Sequence, residues 1–142
     1  MIETQVPRPT MRDLMATVGE VLLMWGFLER AMRERLALRQ ANAKPRAKSS
    51  TLIQWRKAEE QAKGGGDLGL IQLFAEIEKV AMIRNYLAHG LSSASADPRS
   101  NQEAAVVCVM PDGRSRRLTW TEMQVAKDHL HTVTNRVRDL AL

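Results

Sequence analysis

The sequence predicts a mostly α-helical fold, an antiparallel bundle of about four helices with a β-hairpin at about 104–120 ahead of the last helix. Three observations carry this. Apolar residues recur every three or four positions over long stretches, the spacing of a buried helix face. The composition is 44% hydrophobic but only 4% aromatic, with eight Met. The one continuous β-branched run, at 104–110, leads into Pro111-Asp112-Gly113, a turn with the chemistry of a hairpin.

At 142 residues the chain supplies one domain's worth of core, and halving it would leave two units too small to bury much apolar surface. Residues 1–142 therefore read as a single domain, with an N-terminal tail at 1–9 and a flexible loop at 91–103. Cys108 is the sole cysteine, which excludes an internal disulfide and a Cys-rich zinc site. The opening MIETQVPRPT lacks a basic segment followed by an apolar one, and Val21–Leu28 is far shorter than the ~20 residues of a membrane span. A cytoplasmic protein that does not enter the membrane is expected.

Thr10 with Asp13 opens the first helix, about 10–41, whose stripe is Met11, Leu14, Val18, Val21, Trp25, Leu28, Met32 and Leu36. Gly19 and Gly26 lie seven apart on a neighbouring face. Each costs a helix up to ~1 kcal/mol relative to Ala, so the pair points either to close approach of another helix, such as one from a second subunit, or to simple tolerance. After the loop ANAKPRAKSS, Ser50 or Thr51 caps a second helix of about 51–63, with Gln54 reaching back, and Gly64, Gly65 and Gly66 end it. No GK[ST] follows the three glycines, so they are not a phosphate-binding loop. Asp67 caps a third helix with Leu70, Phe74, Ile77, Ala81 and Ala88 on one stripe, and Gly90 is expected to stop it in the left-handed conformation. Thr121 with Glu122 opens the last helix, whose stripe is Met123, Ala126, Leu130, Val133, Val137 and Leu140. Met11, Met15, Met24, Met32 and Met82 read as core filling, and Cys108 as a buried small hydrophobe.

The chemistry concentrates at the end of the third helix, Ile83-Arg84-Asn85-Tyr86-Leu87-Ala88-His89-Gly90. An imidazole titrates near neutral pH, so His89 can withdraw a proton from a ribose 2′-hydroxyl or deliver one to a leaving 5′-oxygen. Arg84 presents a planar donor fork that suits phosphate and the charge developing on a phosphorane. Asn85 can hydrogen-bond the phosphate or hold the imidazole tautomer, and it shares a helix face with His89. Arg84 is rotated about 140° from His89 on an ideal helix, so its side chain must wrap around or the last turn must distort. Glu29 on the first helix is the candidate ion-pair partner of Arg84, and Tyr86 reads as packing with its hydroxyl at the surface.

Arg84, Asn85 and His89 resemble the motif of the HEPN superfamily, an Arg followed by a polar residue, often Asn, and then His after four to six intervening residues. Here four intervene. The resemblance implies a small HEPN-like helical bundle carrying the motif on a late core helix. It further implies a homodimer with the two motifs facing a shared cleft, and metal-independent endoribonuclease activity without a cofactor. The role it implies is that of a toxin or phage-defence effector with a cognate antitoxin or defence-system partner. In HEPN toxins silenced by nucleotide addition, Tyr follows the motif His one residue later. Here Gly90 and Leu91 stand after His89, so the acceptor hydroxyl for that regulation is missing.

Net charge is +5, and nine cations, Arg30, Arg33, Arg35, Arg39, Lys44, Arg46, Lys48, Arg56 and Lys57, face only Glu34 between residues 30 and 57. The hairpin tip adds Arg114, Arg116 and Arg117. Such clusters attract phosphates without regard to sequence, so Arg30, Arg33 and the three tip arginines are the candidate RNA contacts, the other account being a solvated face. His129 and His131 are two apart on a helix and face different directions, unlike a zinc-binding pair.

Three other readings compete with the nuclease. In the first, Arg84 pairs with an acid, Asn85 and His89 cap a helix end favourable to cations, and nothing is catalysed. In the second, a HEPN-like dimer without activity serves as a scaffold for a protein or nucleic acid. The third is a winged helix with PDGRSRR as its wing, but the third helix offers Glu76 and Glu78 where DNA would require cations.

Overall fold

A computed structural model describes residues 8–39 and 50–140. The order is α1 (Met11–Arg39), α2 (Thr51–Lys63), α3 (Leu68–His89), β1 (Leu91–Ser95), β2 (Ala105–Val109), β3 (Ser115–Thr119) and α4 (Trp120–Arg138). The fold is mostly helical, as expected, with a three-stranded antiparallel sheet in the order β1-β2-β3 in place of a lone hairpin. The last residues expected of the first helix, the loop that follows it and most of the N-terminal tail lie outside the described residues.

Each helix starts where a side chain meets its free amides. Thr10 and Asp13 exchange hydrogen bonds, with the Thr10 amide donating to Asp13 Oδ2 at 2.9 Å and the Asp13 amide donating to Thr10 Oγ1 at 3.1 Å. These bonds, the backbone one foremost, hold the Asp13 carboxyl below its ordinary pKa. Ser50 caps α2 and Asp67 caps α3. Gly64 ends α2 with a left-handed φ of 78°. The cap of α4 is Thr119 rather than Thr121, in a capping box with Glu122. Thr121 instead donates both its amide and its hydroxyl to Glu103, which ties the last helix to the strand entry.

Two expectations fail at the end of α3. Gly90 has φ −124°, outside the left-handed region, so conformation does not demand glycine there. Space does: a Cβ at Gly90 would lie 3.0 Å from both Val109 O and Met110 Sδ and 3.2 Å from Tyr86 O. The helix end is thereby pressed onto β2, and the Val109 amide donates to Gly90 O at 2.7 Å. The supposed loop at 91–103 begins as β1, pairing Ser93 with Val107 and Ser95 with Ala105, with an irregularity between Leu91 and Ser93. All five residues of β1 are exposed, so no alternation marks them, and the partner backbone of β2 alone makes them a strand. Pro111-Asp112-Gly113 turns β2 into β3, with Gly113 at φ 88°.

The core forms where α1 packs on α4 and α2 and where α3 packs on α4 and α1. Leu14, Val21, Leu28 and Met32 meet the interior from α1, and Leu130, Val133 and Val137 from α4. Cys108 is buried beneath the sheet, and burial raises its thiol pKa. Of the methionines read as core, Met32 is buried and Met24 half-buried, whereas Met11, Met15 and Met82 are exposed. Met15 lies off the buried stripe of α1, on the same outer face as Gly19 and Gly26. Among the described residues, no other part of the chain comes within 4 Å of where a Cβ would stand at either glycine.

Candidate active site

The row Leu70, Phe74, Ile77, Ala81, Arg84 and Ala88 advances along α3 in steps of three and four, so all six share the inward face. Its first three members are buried, Ala81 and Arg84 are half-buried, and Ala88 is exposed. The row thus leaves the core toward the C-terminal end, and Arg84 stands where it emerges.

The Arg84 guanidinium lies 5.8 Å from the centroid of the Trp25 ring and donates to Asn85 Oδ1 at 3.0 Å. Arg84 therefore wraps toward Asn85 without distorting the helix, which remains regular to His89. The expected ion pair with Glu29 does not form. Glu29 is four residues from both Trp25 and Arg33 on its own helix, and these neighbours take its two oxygens. Trp25 Nε1 donates to Oε2 at 3.2 Å, and Arg33 Nη2 donates to Oε1 at 2.5 Å. Arg84 makes no ion pair among the described residues, so its charge is held in place without being neutralised.

Asn85 and His89 are exposed one turn apart. Among the described residues His89 makes no hydrogen bond to Arg84 or Asn85. Tyr86 is half-buried, with the Arg116 guanidinium 5.8 Å from its ring centroid. Arg116 also reaches Met82 Sδ at 3.9 Å and Glu122 at 3.1 Å, so β3 brings a second guanidinium to the last turns of α3. Sequence reasoning missed Trp25 as a site residue. Its signal was the i, i+4, i+8 spacing of Trp25, Glu29 and Arg33.

The other expected contact arginines are divided. Arg30 pairs with Glu34 at 3.2 Å and Arg114 with Asp112 at 2.6 Å, while Arg117 donates to Glu103 O. These pairs are exposed and contribute little, so they exchange readily for phosphate. The Arg114 contacts, the amide bond first, keep the Asp112 carboxyl below its ordinary range. Two members of the long basic run belong elsewhere. Arg35 is buried and donates to Leu140 O at 2.8 Å, and Arg39 pairs with buried Glu59 at 3.1 Å. Lys44, Arg46 and Lys48 lie outside the described residues.

A cleft of about 280 Å³ lined by Arg8, Asp97, Gln102 and Glu103 lies apart from this turn of α3. Among the described residues no group of three His, Cys, Asp or Glu could hold a metal ion, and no helix is long and apolar enough to cross a membrane. The chain matches no protein-family model, no curated protein and no solved structure.

Proposed function

We propose that this chain is a HEPN-type, metal-independent endoribonuclease that acts as a homodimer in a toxin or phage-defence role. The observation that carries the reading is a half-buried guanidinium without a carboxylate, fixed between Trp25 and Asn85, with an exposed imidazole five residues on along the same helix. A positioned, uncompensated Arg is built to meet an anion. In the reaction a ribose 2′-oxygen bonds to the adjacent phosphorus as its proton leaves, and the bond from phosphorus to the 5′-oxygen breaks. The products are a 2′,3′-cyclic phosphate and a 5′-hydroxyl. His89 takes the first proton or supplies the second, Arg84 neutralises charge on the phosphorane, and Asn85 offers its amide N–H groups to the phosphate. The need for a 2′-hydroxyl makes the substrate RNA.

The single motif imidazole of each chain cannot serve as base and acid in the same step, so a second copy would complete the pair. The outer face of α1 supports self-association: Met15, Leu23 and Phe27 are exposed beside Gly19 and Gly26, which have nothing against them. Arg30, Arg33, Arg114, Arg116 and Arg117 then steer the RNA. An antitoxin or defence-system partner belongs to the same reading.

The test is cleavage of total cellular RNA in EDTA by wild type, Arg84→Ala and His89→Ala at matched folding. Wild-type cleavage that leaves 2′,3′-cyclic ends and is lost in both variants is the expected result. The absence, among the described residues, of a hydrogen bond from His89 to Arg84 or Asn85 favours a second reading, a silent scaffold dimer. Three equally inert folded dimers would establish that alternative.

A further inference from the structure

We propose that Trp25 and Glu29 are positioning residues for Arg84, acting in series: Glu29 holds the indole, and the indole holds the guanidinium. The catalytic consequence rests on the nuclease reading above, but the positioning is a property of the fold itself.

An arginine side chain carries about 2 kcal/mol of rotamer entropy, so a half-buried one that must meet a phosphate in one pose needs a support. A carboxylate would fix it but would also compete with the phosphate for the same donors. An aromatic face attracts the guanidinium plane while leaving its in-plane N–H groups free. Trp25 supplies that face to Arg84. The ring is itself only 9% exposed and belongs to the buried stripe of α1, so it cannot swing away.

A buried indole N–H requires an acceptor, and Glu29 Oε2 provides it at 3.2 Å. The charge of Glu29 is balanced by Arg33 rather than by Arg84. All three residues of this support follow one another at four-residue steps on a single helix, so α1 alone sets their arrangement. Glu29 therefore acts on Arg84 at one remove.

The full-length chain tests this with Trp25→Leu, which removes the ring, Glu29→Leu, which removes the acceptor, and Glu29→Gln, which keeps an acceptor without charge. Two readouts are taken on each. The first is the Arg84 side-chain Nε–H signal in a nitrogen-15 correlation spectrum, assigned with Arg84→Lys. The second is kcat and KM for RNA cleavage in EDTA. The Arg84 signal is expected to be displaced by the indole ring current in wild type and Glu29→Gln. It should move to the position of a free arginine in Trp25→Leu and Glu29→Leu. On the same samples kcat should fall about a hundredfold in Trp25→Leu and about tenfold in Glu29→Leu, with KM within about threefold of wild type. Glu29→Gln should stay within about threefold in both parameters. A signal that is not displaced in wild type, or that does not move in folded Glu29→Leu, overturns the proposal, as does an unchanged kcat in that variant. If Trp25→Leu does not fold, the two Glu29 variants carry the same comparison. Inert wild type with a displaced Arg84 signal would remove the nuclease reading while leaving the positioning intact.

Discussion

Among the arginines of α1 and α2, Arg35, Arg39 and Arg56 each end on an oxygen of another segment: Leu140 O beyond α4, buried Glu59 on α2 and Glu78 on α3. At the far end of α3, Arg84 ends on a ring and a neutral amide. The same side chain thus meets a carboxylate or carbonyl of another segment in one region and no carboxylate in the other. The difference lies in where the acids fall. Glu59 Oε1 accepts from both Arg39 and the Trp55 indole, whereas the two oxygens of Glu29 are taken by Trp25 and Arg33 on α1. A charge run read along the chain does not separate these cases, because only the partner across the fold shows which arginine is structural.

The sharpest way to break the comparison is to exchange the two regions' roles by mutation. Glu59→Leu strands Arg39 and the Trp55 N–H, and because Arg39 keeps some solvent contact the expected loss is about 3 kcal/mol in urea unfolding. Arg84→Ala should change stability by less than about 1 kcal/mol while removing RNA cleavage. Comparable stability losses in both would show that Arg84 is structural too. At the junction between helix and sheet, Gly90→Ala should cost about 1–2 kcal/mol by the same unfolding measurement, because the backbone carbonyl of Val109 would have to give way to a methyl group 3.0 Å from it. A change near zero would mean that the last turn of α3 moves freely on β2.

On the outer face of α1 the sign reverses. Gly19→Ala and Gly26→Ala meet open space within the chain, so each should raise thermal stability of the monomer by about 0.5–1 kcal/mol. If the same changes weaken self-association in sedimentation equilibrium, that face is where two copies approach. The smallest effect concerns the exposed carboxylates. Asp13 and Asp112 should both titrate below the ordinary carboxylate range in carbon-13 spectra. Their folded values are depressed, so what they contribute to stability is present above the unfolded pKa and fades as pH falls through the folded ones. Titration of Asp13 at the ordinary value would mean that the start of α1 frays.

The helices were legible because their information is local: Asp67 precedes α3, Ser50 precedes α2, and the stripe of α4 is buried from Met123 to Val137. The Arg84-Asn85-His89 motif was legible as chemistry. What surrounds it was not, because Trp25 reaches Arg84 across 59 positions of sequence and only packing brings them together. Glu29 was singled out for the site, but its partner was wrong, since competition from Arg33 on the same helix outweighed the longer reach. Gly90 was marked as special for its backbone angle when the reason is the approach of β2. β1 was invisible because Leu91-Ser92-Ser93-Ala94-Ser95 has neither alternation nor β-branched side chains. Its strand character comes from its neighbour.

The sheet ends unlike at its two borders. β3 carries Arg116 and Arg117, and charges at a border deter another strand from annealing there. β1 has no charge and no proline, and every one of its residues is open to solvent. In a mostly helical molecule the unguarded ladder of five residues at β1 is the place where crowded or heated protein would begin to polymerise, and the deposit would be rich in cross-strand structure although its parent is built from helices.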